Sequence, residues 1–306
     1  MVIGDRLPWK VIFRLHAPWL LATAGVAAAA WVTTRVFAIN LPFTPVPFQI
    51  AGVALAIFLG FRNNSAYDRW WEGRKLWGGI VNQSRAFARQ VLTLPVATAA
   101  EAAELRAAQQ RVVYRHVAWL YALKQQLRGA DPLEELAAFL PDAEREALKA
   151  QKNVGAWLVH ENGVEVARWA AKGWLSDHRL ELFDRTLTEL ISLQGGCERI
   201  KSTPIPTAYR VFTHRFTRVF IMVLPLGLVE HLSPQNLPIL LGLSLAFLVL
   251  ETLGRILEDP FSLGPNGLAL GAICRTIEIN VRQQLGETEL PEPAKATLFG
   301  GVPVLL

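Results

Sequence analysis

Charge and cysteine are both scarce in this chain of 306 residues. Asp, Glu, Lys and Arg make up only 19% of it while 52% is hydrophobic, against roughly 25% charged in an average soluble domain. Mean hydropathy is +0.26. Disorder is excluded, because the apolar surface is ample to offset the entropy of ordering, and with no low-complexity period so are collagen and coiled coil. The only cysteines, Cys197 and Cys274, have no CxxC spacing and no histidine at ligand spacing, which excludes a disulfide framework and a zinc site. The phosphate-binding GxxxxGK[ST], the dinucleotide GxGxxG, the zinc-protease HExxH and the hydrolase GxSxG are all missing. The basic excess, 31 Lys plus Arg against 26 Asp plus Glu, is small, and it lies beside apolar segments rather than on one nucleic-acid-binding face. What remains is a membrane protein with a large aqueous part.

A bilayer needs about 20 apolar residues to cross it, and four stretches are candidates. The first, Ala17 to Phe37, has no charge before Arg35. The second, Leu41 to Phe61, is uncharged, with Pro42, Pro45 and Pro47 crowding its start, so an uninterrupted helical run begins at Phe48. The third, Pro206 to His231, carries His214, Arg215 and Arg218 in its first half, and the fourth, Leu237 to Leu257, carries Glu251 and Arg255. Folded as a hairpin about His231 to Leu237, these last two bring Arg218 level with Glu251 and Arg210 level with Glu258. Charge at membrane depth is costly unless paired, so an Arg218–Glu251 pair is expected. Two buried helices of a soluble domain are the alternative. A cleaved signal peptide ending near Ala27 to Ala30 is disfavoured, because the apolar run continues through Trp31 and Val32. Arg6, Lys10 and Arg14 precede the first span, and Arg62, Arg69, Arg74 and Lys75 follow the second, whereas the loop from Glu230 to Pro238 has no Lys or Arg. Both termini and the long middle segment are therefore expected in the cytoplasm.

No proline interrupts Phe48 to Leu94, so one helix of roughly 70 Å can leave the membrane and enter the cytoplasm. Its membrane half shows a small stripe, Gly52, Ala56 and Gly60, suited to close helix approach, beside a bulky stripe, Val53, Ile57 and Phe61. A ring of such bulky stripes from several subunits would be a hydrophobic constriction that gates ions by dewetting. A face packed against lipid or other helices has the same spacing. Arg62, Asn63, Asn64 and Ser65 mark the exit into water. Further amphipathic helices are expected over Ala102 to Leu127, Val154 to Trp174 and His178 to Lys201, and the tail from Gly286, with Pro291, Pro293 and Pro303, reads as extended. The chain thus divides into an N-terminal segment with two membrane helices (1–61), a helical cytoplasmic domain (62–205), two further membrane helices (206–257), and a cytoplasmic helix with an extended tail (258–306). Cys197 has Glu198 beside it but no clear general base, so it reads as a packed thiol. Glu258 and Asp259 are followed by no further carboxylate up to Gly264, short of the six to eight oxygens calcium takes. Neither a metal nor a cofactor is expected.

The segment Ala56-Ile-Phe-Leu-Gly-Phe-Arg-Asn-Asn-Ser-Ala-Tyr-Asp-Arg-Trp-Trp-Glu-Gly-Arg-Lys-Leu-Trp-Gly78 resembles the signature of the bestrophin family, in its bacterial branch. Gly195-Gly-Cys-Glu-Arg-Ile200, Thr203-Pro-Ile-Pro-Thr-Ala-Tyr209 and Glu258-Asp-Pro-Phe261 resemble bestrophin motifs in the same order. The resemblance implies an all-α membrane protein, four membrane-associated helices per subunit plus a helical cytoplasmic domain, assembled as a homopentamer in the bacterial inner membrane. It implies an ion channel, not an enzyme, passing small monovalent ions passively along one axis, with the bilayer and its own copies as partners and no nucleic acid. The family's hydrophobic neck carries over onto Val53, Ile57 and Phe61. Its cytoplasmic aperture carries over onto His178, where bacterial relatives have an aliphatic residue, next to Asp177. Asp177 suits cations, whereas a ring of protonated His178 suits anions and would be sensitive to pH. Animal members hold calcium with an acidic run after this last motif; here Ser-Leu-Gly-Pro-Asn-Gly follows, so calcium gating does not carry over. A membrane-bound enzyme and a sealed structural or signalling oligomer are the rival readings.

Overall fold

Proline sets where the longest helix begins. Pro45 stands at the start of α2 (Pro45–Thr93), with Thr44 extended before it; its missing N–H is one of the donors that no helix start can satisfy. The helix runs unbroken for 49 residues. In the computed structural model, which describes residues 9–231, 233–264, 266–299 and 302–305, the other helices are α1 (Trp9–Arg35), α3 (Ala102–Arg128), α4 (Leu133–Leu136), α5 (Asp142–Leu148), α6 (Val154–Ala171), α7 (Asp177–Ser202), α8 (Thr207–Gly227), α9 (Leu237–Leu257) and α10 (Leu270–Gln284). Arg6 of the basic N-terminus lies outside the described residues. The long middle helices match the expected ones to within a few residues. The first does not: α1 starts well before Ala17 and takes Pro18 inside it. The tail also differs. Thr297–Phe299 (β1) and Val302–Val304 (β2) pair as an antiparallel hairpin, Thr297 opposite Val304, and Leu305 lies in a cleft with Arg74 of α2 and Ala272 of α10.

Among the described residues, three helices, α1, α2 and α9, are long and apolar enough to cross a membrane. The charges on α8 keep it out of that group, yet it packs with all three. Ala27 and Ala30 of α1, Leu55 and Leu59 of α2, Phe220 and Ile221 of α8, and Leu240 and Leu248 of α9 form one apolar core. A second core joins Trp77 and Phe87 of α2 to Trp119 (α3), Trp169 (α6), Phe183 (α7) and Cys274 (α10). Among the described helices only α2 contributes buried residues to both cores.

The half of the chain built on the second core is held by close packing and by one acid. A Cβ on Gly79 would sit 2.8 Å from Leu193, and one on Gly196 2.8 Å from Leu76, so each helix of the α2–α7 pair receives a leucine of the other at a glycine. Glu198 accepts from Gln126 (3.0 Å), Asn153 (3.0 Å) and Gln194 (2.8 Å), tying α3 and the start of α6 to α7. Asn153 also caps α6, accepting from the Ala156 N–H at 2.9 Å. Gly79→Val should lower the unfolding free energy by about 1–3 kcal/mol through overpacking. Gly78→Ala, whose Cβ would meet only Arg74 at 3.5 Å, should leave the thermal midpoint unchanged; equal midpoints for both variants would contradict this packing.

Candidate pore face and its charged collar

The buried residues of α2 in and below the membrane, Leu55, Leu59, Arg62, Ala66, Gly73, Trp77 and Ile80, fall on one side of the helix at about 100° per residue. The opposite side carries Val46, Ile50, Val53, Ile57 and Phe61, then Asn64, Asp68 and Lys75. Val53 is 62%, Ile57 53% and Phe61 68% exposed, with Val46 and Ile50 comparably open. This face is apolar through the membrane half, and past Phe61 it carries Asn64, Asp68 and Lys75 together with the half-exposed Trp71. Val46 and Ile50 extend the expected stripe of Val53, Ile57 and Phe61 at the same spacing. The small stripe behaves differently from expectation: only Gly52 meets a neighbour, the Phe220 ring 3.1 Å from its Cβ position, while Gly60 has nothing within 4 Å.

One residue past Phe61, Arg62 points the other way and is fully buried. Its guanidinium stands 3.5 Å from Glu251 and 3.5 Å from Glu258, and it donates to Thr213 Oγ1 at 3.2 Å. Asn63 donates to the Leu250 carbonyl at 3.0 Å, and a Cβ on the facing Gly254 would sit 2.3 Å from the Asn63 oxygen, so a side chain there would have to displace the Asn63 amide. About two turns further along α2, Arg69 donates to the Glu258 carbonyl (2.8 Å), the Thr203 carbonyl (2.6 Å) and the Ile200 carbonyl. It thereby satisfies orphan carbonyls at the ends of α9 and α7, where a cation also complements the helix dipole. Asp259 pairs with Lys201 at 2.7 Å and Glu72 with Arg199 at 2.5 Å.

The expected Arg218–Glu251 pair is not formed. Glu251 takes His214 Nδ1 at 3.0 Å and Arg62 at 3.5 Å, while Arg218 lies 4.5 Å over the Trp19 ring. The hairpin does bring polar groups of α8 to the level of the α9 acid, but it is His214, one helical turn before Arg218, that meets Glu251, and Arg218 turns towards α1. Arg62, expected as an exit marker, shares the spacing of Leu55, Leu59 and Ala66 and lies on their buried face.

Asp177 and His178 open α7, exposed, directly after Ser176. Arg179 donates to the Leu94 carbonyl at 2.7 Å and Gln90 to the Leu182 carbonyl at 3.5 Å, which docks this end of α7 on the far end of α2. The two candidate constrictions therefore lie at opposite ends of one helix, on the order of 50 Å apart along it. Other reactive groups of the cytoplasmic part are packing groups. Burial pushes His116, 5.0 Å from the Phe87 ring and 5.2 Å from the Trp119 ring, down to about 3, so it stays neutral. Burial pushes the Cys197 and Cys274 thiols up to about 12, leaving no thiolate at neutral pH. Two of the clefts there, one beside Gln126, Asp131 and Lys152 and one beside Arg111, Tyr114 and Glu144, are lined by no Ser, Cys or His.

The model of the bacterial and fungal bestrophin proteins matches residues 7–283. The chain belongs to the bestrophin family. This bestrophin is 40% identical to a voltage-dependent anion channel-forming protein of Ralstonia nicotianae, over 98% of its own length and 99% of the relative's. It is 36% identical to the voltage-dependent anion channel-forming protein YneE of Escherichia coli K12, over 92% and 89%. A crystal structure of a bacterial bestrophin homologue from Klebsiella pneumoniae superposes with a TM-score of 0.81 at 34% identity, covering 89% of this chain and 98% of that one. In this bestrophin the residues of the long motif divide between two tasks: Arg62, Asn63, Arg69 and Gly73 fasten α2 to its neighbours, whereas Ile57, Phe61, Asn64 and Asp68 are exposed. Arg62→Met should leave Glu251 and Glu258 facing each other without a cation, costing about 3–5 kcal/mol and abolishing recovery of folded protein. Arg218→Ala breaks no ion pair within the described chain, only the Trp19 ring contact of about 0.5–2 kcal/mol, and should purify normally. Equal thermal stability of the two variants would refute the assignment.

Proposed function

We propose that this bestrophin is a passive ion channel of the bacterial inner membrane, in which five copies set the free faces of their α2 helices around one axis. The observation that carries this reading is that face itself. Helices α8 and α9 cover the opposite side of α2, while Val53, Ile57 and Phe61 stay uncovered and the same stripe runs on below the membrane as Asn64 and Asp68. In an oligomer such an uncovered face can turn to a common axis, and its polar continuation would keep that axis wet below the neck. At three stacked rings of Val53, Ile57 and Phe61 an ion would shed water and find no replacement dipoles, which makes the neck a dewetting gate. Asp177 and His178, at the cytoplasmic end of the same rod, form the second aperture in this reading. The basic residues beside the spans, Arg14, Arg69, Arg74 and Lys75 among them, and the uncharged α8–α9 connection after Glu230 support cytoplasmic termini. The relatives are named for anions; Asp68 and Asp177 on the proposed path would draw small monovalent cations.

Purified protein in planar bilayers tests this directly. The parent should give unitary currents, and Ile57→Ala and Ile57→Ser should raise conductance or open probability severalfold. If both assembled variants conduct like the parent, the stripe is packing and the neck is elsewhere; no current from any of them would leave a sealed oligomer as the better reading.

A further inference from the structure

Where the helices leave the bilayer, basic groups outnumber acids. Both acids of this level, Glu251 and Glu258, face Arg62, and Glu251 takes His214 as well. Helix α1 packs on the other side of α8 and α9, and there Arg218 and Arg255 have no carboxylate at ion-pair distance among the described residues. Arg218 rests on the Trp19 ring at 4.5 Å. The buried His16 of α1, whose Nε2 lies 3.5 Å from Thr252 Oγ1, is within electrostatic reach of both arginines and of Glu251. Depth decides what can neutralise them. Arg218 is followed immediately by the apolar run Val219 to Val229, and Arg255 stands in the last turn of α9, so both sit at the hydrocarbon boundary, where an uncompensated charge is costly. A guanidinium fork matches a phosphate oxygen pair, and an indole beside it suits the headgroup level.

We propose that Arg218 and Arg255, with Trp19 and His16 beside them, form a binding site for the phosphate of an anionic phospholipid where α1 packs on α8 and α9. Free phosphate carries the right charge, but only a lipid delivers its phosphodiester at this depth, with acyl chains to cover exposed residues such as Leu21, Val219 and Leu253. The two unpaired cations favour a headgroup without a cation of its own. That the site serves the cytoplasmic leaflet rests on the orientation proposed above.

Native mass spectrometry of the detergent-purified assembly, with phosphatidylglycerol or phosphatidylcholine added, tests the site without reading conduction. The parent should keep phosphatidylglycerol at collision energies that strip phosphatidylcholine, and millimolar inorganic phosphate should not displace it. The double variant Arg218→Gln/Arg255→Gln should bind phosphatidylglycerol about ten-fold more weakly or worse, while the exposed cytoplasmic pair Arg111→Gln/Arg185→Gln should bind it as the parent does. Should the double glutamine variant not assemble, Arg218→Lys/Arg255→Lys, which keeps the charge and loses the fork, should show a smaller but definite weakening. Equal retention of both lipids by the parent, displacement by phosphate, or unchanged binding in the glutamine or lysine variant that assembles would each overturn the proposal.

Discussion

A fully buried arginine at the end of an apolar span decides how the longest helix is turned. Arg62 cannot stand alone where no water reaches it, and the acids that compensate it, Glu251 and Glu258, sit at the end of α9. Once Arg62 faces α8 and α9, the rotation of α2 is set, because side chains four residues apart share a face and those about two apart oppose each other. Phe61, Ile57 and Val53 are then held away from the helices of their own chain. The apolar stripe is uncovered as a consequence of that buried charge cluster, not for lack of a neighbour.

The same helix carries this setting on into the second core. Arg69 fixes it to the ends of α7 and α9 at the membrane exit, the Gly79–Leu193 and Gly196–Leu76 contacts hold α7 against it along its length, and Arg179 closes the far end at Leu94. One rod thus joins the segment around Phe61 to the start of α7, where Asp177 and His178 stand.

Much of this was legible in the sequence because long helices with strict spacing need no partner to be recognised. The proline-free run after Phe48, the bulky stripe at 53, 57 and 61, and the middle helices all follow from periodicity within one segment. The failures share a cause: each depended on which of several neighbours a side chain would choose. Arg218 has Trp19 on one side and Glu251 on another, and depth matching alone could not separate them. Arg62 looked like a solvated exit residue because it precedes Asn63, Asn64 and Ser65, although its phase with Leu59 and Ala66 placed it inside. The tail hairpin was missed because three-residue strands interrupted by glycine carry almost no alternation.

The rotation of α2 is the claim on which the rest depends, and thiol chemistry measures it most directly. The native cysteines are buried with thiols pushed up to about 12, so an introduced cysteine can be read against a quiet background. With a charged, membrane-impermeant thiol reagent applied during bilayer recording, Phe61→Cys should be modified and its current should change irreversibly, and Leu59→Cys should be untouched. Modification and block at Leu59→Cys, with Phe61→Cys unaffected, would show that α2 is turned the other way and contradict the account.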